Sequence, residues 1–206
     1  SGYIRQGKKV TYWANEEPAV RIKLRIIQSY FNQTKEEIAD NLENYKEEYL
    51  TNIKPYLTVF DSVGTHIDEI NEYARIYRPD VMFIDQLDKV HISGTYNRTD
   101  EKLKEVYVRA REISKRHECL LWAVSQASYE AEGKSIIDYS MLDNSRTGKA
   151  GEADLIIGIG RGADNNDLSD PNRCITISKN KLNGWHGSRH ATISIRRGVF
   201  ESDNNA

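Results

Sequence analysis

Cysteine is nearly absent from this chain: Cys119 and Cys174 each stand alone in an apolar run, without C-x-x-C spacing. That excludes a disulfide framework or a zinc knuckle, and it suits a reducing compartment. No apolar run approaches the ~18 residues that a membrane-crossing helix needs. The first residues also lack the charged-then-apolar order of a secretion signal, so the chain is expected to be neither membrane-bound nor exported. Neither sign of charge dominates, with 29 Lys and Arg against 31 Asp and Glu, a net charge of −2 and a pI near 6.2. A global basic field is therefore excluded, and any contact with nucleic acid must come from a local cluster. There is no internal repeat.

What is present is an alternation of short apolar runs with longer helical patterns. The runs are KVTYWAN from Lys9, LTVFDS from Leu57, DVMFIDQ from Asp80, ECLLWAVSQ from Glu118 and ADLIIGIGR from Ala153. Continuous apolar strands ending in polar residues are what a parallel sheet buried on both faces requires. Between them, Glu17 to Asn52 reads as two helices split near Gln33-Thr34. His66 to Tyr77 reads as one helix, and Thr99 to His117 as another with Thr99 as its N-cap. After Asp170-Pro171 the pattern changes to RCITISKNK, the turn NGWHG and RHATISIRRGVFES, which predicts antiparallel strands forming a hairpin edge on the parallel sheet. Stretches 91–98, 129–146 and 162–172 read as loops. The expected fold class is α/β, a mostly parallel central sheet flanked by helices with antiparallel C-terminal strands. Residues 1–201 are expected to form one domain and 202–206 a disordered tail.

Ligands of an open parallel sheet bind beyond the carboxyl ends of the strands, so the polar residue ending each run is the one to inspect. The first run ends in Asn15-Glu16-Glu17, the third in Asp85-Gln86 and the fourth in Ser125-Gln126. Asp85 follows four apolar residues and could hold Mg²⁺; equally, an Asp there can be an Asx-turn or a helix cap. Glu16 could polarise an attacking water, whereas Glu17, followed by Pro18, fits a first-turn helix acid. Gln126 could offer its amide to a phosphate, or be an ordinary strand-end amide. Lys179 and Lys181 fall on one face of a strand, either to meet an anion or to guard an edge against aggregation.

With these features in order, the chain resembles the RecA-like helicase domain of DnaB-type hexameric replicative helicases, especially those of phage primase-helicases, from its first residues to about Ser202. The resemblance rests on GKKVTYWANEEP, LTVFDS, RPDVMFIDQLDKV, LLWAVSQAS, EADLIIGIGR and ISKNKLNGWHG. It implies a RecA-like P-loop NTPase core that hydrolyses ATP or another NTP with Mg²⁺ at ring interfaces and translocates on single-stranded DNA. By this resemblance Glu16 is the catalytic base, Asp85 the metal-linked acid and Gln126 the phosphate sensor. Lys179 and Lys181 reach the neighbouring subunit's nucleotide, and Arg161 lies near the nucleotide. Lys134, Arg146 and Lys149, in the loop from Ala127 to Gly151, would meet DNA. Partners so implied are a hexameric ring of the same chain and a primase, in the cytoplasm of a bacterial or phage-infected cell.

Two departures stand out. The family usually has arginine at the position of Lys181, and lysine offers a point charge in place of a planar fork. More consequentially, no G-x-x-x-x-G-K-[ST] phosphate loop occurs in the 206 residues. Ser1 to Gln6 matches the tail of the helix that follows that loop, so the sequence reads as a fragment without the loop and its strand, expected to be inactive by itself. Two other classes remain open: another RecA-like ATPase of recombinase or clock type, and a non-catalytic RecA-like assembly module.

Overall fold

The computed structural model describes residues 1–143, 146–162, 167 and 169–202, with the side chains of Arg146, Thr147 and Ser202 left aside. The chain divides into two compact units. The first is Ser1–Thr95, Glu105–Ser125 and Arg196–Gly198, and the second is Tyr96–Lys104, Gln126–Ile195 and Val199–Ala206.

The first unit is built on a parallel four-stranded sheet. Its strands are β1 (Val10–Ala14), β2 (Leu57–Asp61), β3 (Val81–Ile84) and β4 (Leu120–Ala123), in the order β2-β1-β3-β4. The register pairs Tyr12 with Val59 on one side and with Phe83 on the other. Helices α1 (Gly2–Arg5), α2 (Ala19–Phe31), α3 (Lys35–Asp40), α4 (Leu42–Glu48), α5 (Ile67–Tyr77) and α6 (Thr99–Arg116) complete the alternation, the last beginning in the second unit. The expected pair of helices between Glu17 and Asn52 is three. A capping box at Thr34, whose hydroxyl accepts from the Glu37 amide, opens α3 at the anticipated break.

Helical spacing brings Ile67, Ile70 and Ala74 of α5 and Val106, Ala110 and Ile113 of α6 into one core with Trp13, Met82 and Ile84. Trp13 is 2 % exposed, stacks on Phe60 at 4.5 Å between centroids and meets Tyr73 edge-on at 5.3 Å. Among the described residues β4 pairs with β3 alone, and Leu120 and Val124 stay about half exposed.

The second unit holds a separate antiparallel sheet, β5 (Leu155–Arg161), β6 (Asn172–Asn180), β7 (Gly187–Ser194) and β8 (Val199–Ser202), in sequence order. The run ADLIIGIGR, expected as a fifth parallel strand, is antiparallel to β6 throughout, from Leu155↔Asn180 to Arg161↔Arg173. A continuous apolar run does not distinguish the two settings: Ile157 and Ile159 leave one face of β5 exposed, and the other face is covered. Here the cover is the stretch 134–137: a Cβ on Gly158 would lie 2.8 Å from the Ile137 Cβ, and one on Gly160 would lie 2.0 Å from the Ser135 carbonyl oxygen. Of the expected disordered tail, Ser202 closes β8 and residues 203–206 lie outside the described set.

Candidate functional site

In the first unit the chain runs from β1 to β2 on one side and then crosses to β3 on the other, so β1 and β3 flank a point where the strand order reverses. Crevices form beyond the carboxyl ends of strands at such a point. The residues there are Asn15-Glu16-Glu17 after β1, Asp61-Ser62 at the end of β2 and Asp85-Gln86 after β3.

A buried polar clamp fixes these tips. The Asn15 amide donates to the Asp85 carbonyl at 2.7 Å, and its side-chain oxygen accepts from the Ser62 hydroxyl at 2.8 Å. Both Asn15 and Ser62 are buried, at 8 % and 2 % exposure. The Asp85 amide donates to the Trp13 carbonyl at 2.9 Å, and the Ser62 amide to Ala14 at 3.1 Å, so each chain continues the ladder one step past its strand. Asp61 accepts from the Ala19 amide at 2.6 Å, serving as the acidic partner at the start of α2 where Pro18 leaves no side-chain cap.

Above the clamp three carboxylates share one rim. Burial first, then the charges of Glu16 and Glu17, push the Asp85 carboxyl above the usual aspartate range; Lys89 and the Gln86 amide oppose this. Glu16 is exposed, receives the Gln86 side-chain amide and lies 3.8 Å from the Lys89 ammonium. Gln86 itself is buried and left-handed (φ 49°), a strained conformation that turns its side chain onto Glu16. Glu17 is ion-paired with Arg25 at 2.7 Å through one oxygen, while its other oxygen is buried without a hydrogen-bond partner. Tyr12 faces the same carboxylates: burial, then Asp85 and Glu17, push its phenol up to about 12. Below the rim, Tyr107 and Ser125 donate to Asp88 at 2.8 and 3.0 Å.

Carboxylates crowded this way want a cation. Among the described residues no three His, Cys, Asp or Glu side chains gather closely enough to hold a metal ion by themselves. Of these carboxylates, Asp85 could serve as one ligand of an ion that takes its other oxygens from water or a substrate.

The remaining sequence-derived candidates belong to the second unit. Gln126 is exposed and its carbonyl accepts from the Asp143 amide at 3.2 Å. Lys179 lies on β6 with its ammonium on the Ala150 carbonyl. Lys181, expected on the strand, sits in the turn after it, 3.3 Å from the Gly151 carbonyl and 3.8 Å from Asp154. Both ammonium groups thus engage the segment Ala150 to Asp154. Lys134 is exposed, and Arg161 ends β5. Arg146 opens a helix, α7 (Arg146–Glu152), and its side chain lies outside the described set.

Lys149, expected on a DNA-facing loop, is instead on α7, 2 % exposed, with its ammonium on the Asp143 carbonyl at 2.6 Å. A buried ammonium satisfied in this way does not offer itself to a polymer. Sequence reasoning passed over Asn15, Ser62 and Gln86. Their proximity to the strand ends was the available signal, but that all three are buried, with Ser62 bonded to Asn15 and Gln86 to Glu16, comes from segments distant in sequence.

No protein-family model matches the chain, and no curated protein matches it by sequence. Among solved structures it superposes on one described as an ATPase domain with a TM-score of 0.79, at 16 % identity, covering 96 % of this chain and 75 % of that one. It also superposes on a DnaB-like replicative helicase, in a structure describing interactions with primase, with a TM-score of 0.80 at 17 % identity, covering 95 % of this chain and 52 % of that one. The chain thus spans three quarters of the first and about half of the second. At this identity the likeness establishes fold alone: a parallel four-stranded sheet flanked by helices with an antiparallel C-terminal sheet, as in those two structures.

Proposed function

We propose that the chain is the motor portion of a DnaB-type DNA helicase, one that hydrolyses ATP or another NTP and moves along single-stranded DNA as a ring. The observation that carries this is the meeting of Glu16 and Asp85 at the tips of adjacent parallel strands where the strand order reverses. Bound Mg²⁺ would supply charge neutralisation at the transferred phosphoryl group. Asp85 would hold the metal's shell, a task that favours the ionised carboxyl its neighbours now disfavour. Glu16, aimed by Gln86, would take the proton of the attacking water.

Gln126 would sense the terminal phosphate, with Arg161 near the nucleotide. Lys179 and Lys181, by exchanging their present carbonyl partners, would reach the nucleotide of the next copy in a hexameric ring. Lys134 and Arg146 would meet DNA, and a primase is the expected partner. No helix among the described residues is long and apolar enough to cross a membrane.

A second reading has its own support. A RecA-like assembly module that does not turn over nucleotide is equally consistent with 206 residues that contain no phosphate loop. A phosphate-release assay separates the two. The 206 residues alone are expected to give none above background. A protein in which a G-x-x-x-x-G-K-[ST] segment precedes them should hydrolyse ATP, and Glu16→Gln there should lower turnover about 10²- to 10⁴-fold with nucleotide affinity kept. Unchanged turnover in both Glu16→Gln and Asp85→Asn would remove the motor reading.

A further inference from the structure

Between β6 and β7 runs the turn NGWHG, which no part of the proposed motor chemistry uses. It holds the one Asn-Gly pair of the chain, Asn183-Gly184. Such pairs are ordinary in tight turns, because glycine supplies the left-handed backbone they need. Gly184 does so here, at φ 75°. What sets this pair apart is the surroundings of the Asn183 side chain.

Two N–H donors converge on its amide oxygen. The Asn180 side-chain amide donates to Asn183 Oδ1 at 2.6 Å, and the Trp185 backbone amide donates to the same atom at 3.0 Å. Neither donor is loose. Asn180 ends β6 and is anchored through both atoms of its own amide: Oδ1 accepts from the Leu182 and Asn183 backbone amides at 3.0 and 3.4 Å, and Nδ2 also donates to the Trp185 carbonyl at 3.0 Å. Trp185 is fixed through its ring, which lies where a side chain at position 187 would stand. A Cβ on Gly187 would come within 2.8 Å of the indole Cζ2, and the Arg189 guanidinium lies over the ring, 5.5 Å from its centroid. Donors held in advance around a carbonyl oxygen stabilise the negative charge it gains when its carbon is attacked.

The attacking atom is next in the chain, since the Gly184 nitrogen closes a succinimide ring when it bonds to Asn183 Cγ. Its N–H makes no backbone hydrogen bond among the described residues. A Cβ on Gly184 would meet nothing within 4 Å, so no side chain shields the nitrogen and the ring has room. Both residues are exposed, which admits water.

We propose that Asn183 is a site of self-catalysed deamidation, with the Asn180 side chain and the Trp185 amide as its oxyanion donors. The Gly184 nitrogen gives its proton to water and bonds to Asn183 Cγ. The Cγ–Nδ2 bond breaks, and Nδ2 takes up a proton and leaves as ammonia. Water then adds to either carbonyl of the succinimide, the ring C–N bond there breaks, the nitrogen regains a proton, and the product is aspartate or isoaspartate. No oxidant or reductant takes part. Either product places a carboxylate in the turn that carries Lys181, and isoaspartate also lengthens the turn's backbone by a methylene. In the motor reading that charge would share a turn with an ammonium meant for a phosphate; the chemistry itself does not rest on that reading.

The test is to incubate the 206-residue chain at mildly alkaline pH, folded in buffer and unfolded in guanidinium chloride, and to follow the tryptic peptide Leu182–Arg189 by mass spectrometry. Asn183 is the only side-chain amide in that peptide. Conversion at Asn183 is expected to be about tenfold faster in the folded chain than in the unfolded one. It should also outrun Asn41, Asn52 and Asn97, which are exposed but precede leucine, isoleucine and arginine. Both isomers should form, isoaspartate being read by enzymatic methylation. Asn180→Asp keeps the acceptor that orders the turn and removes the donor, so it should slow conversion about tenfold. Conversion in the folded chain no faster than in the unfolded one overturns the proposal, because the turn would then guard the amide; this comparison needs no variant to fold. Aspartate without isoaspartate also overturns it, being direct hydrolysis without a ring. So does an unchanged or higher rate in Asn180→Asp, which would leave the donors without a role. Nucleotide hydrolysis is not measured, so neither result bears on Glu16 and Asp85.

Discussion

Replacing Asn15 by alanine removes a side chain that joins the ends of all three strands β1, β2 and β3. The magnitude follows from what is stranded. The Asp85 carbonyl loses a donor at 2.7 Å and the Ser62 hydroxyl loses its acceptor at 2.8 Å, in a setting where Ser62 is only 2 % exposed. A buried polar group left without its partner costs about 1–3 kcal/mol, and partial access of water to the Asp85 carbonyl keeps its share at the lower end. Asn15→Ala should therefore destabilise the first unit by about 2–4 kcal/mol, or roughly 5–15 °C in Tm for a chain of this length. Ser62→Ala strands only the Asn15 side-chain oxygen and should cost about 1–3 kcal/mol. The double variant should cost less than the sum by about 1 kcal/mol, because each substitution removes the other's orphan. Urea denaturation followed by tryptophan fluorescence measures all three, since Trp13 lies in the core beside the clamp. An Asn15→Ala cost below about 0.5 kcal/mol, or a cycle additive within about 0.3 kcal/mol, would refute the reasoning that buried bonds between strand tips hold the crevice.

Asp85→Asn should raise stability at neutral pH. With its folded pKa above its unfolded one, Asp85 holds a proton in the folded state that the unfolded chain releases, so stability falls as pH rises through that window. The advantage of the asparagine variant should shrink as pH falls below the carboxylate range, and urea midpoints at neutral and acid pH check the sign. Gly160→Ala should destabilise the second unit by about 1–3 kcal/mol or more, because its Cβ would meet the Ser135 backbone carbonyl at 2.0 Å, an atom that cannot swing aside; thermal denaturation reads this. Ile70→Ala, at a site 0 % exposed between α5 and the sheet, should cost about 2–5 kcal/mol in urea unfolding. Lys149→Gln should lower stability in the same urea assay and leave oligonucleotide affinity unchanged, because its ammonium is engaged by the Asp143 carbonyl.

Periodicity and strand-end chemistry determined much by themselves. The runs at Lys9, Leu57, Asp80 and Glu118 become β1 to β4 because short apolar runs separated by helical patterns have one economical home, a parallel sheet under helices. Asp85 and Glu16 were legible because a carboxylate after such a run must leave the core, and neighbouring strands bring such ends together. Tertiary structure alone decided where ADLIIGIGR pairs, since the same apolar letters suit either sheet and only the chain that arrives beside them selects a partner. It decided that Lys149 is buried, because a lysine in a stretch read as a loop carries no sign of the carbonyl that will accept its hydrogen bond. It also brought Arg161 opposite Arg173 across the β5–β6 ladder. Local sequence sets what each segment can become, while pairing and burial depend on contacts between segments far apart along the chain.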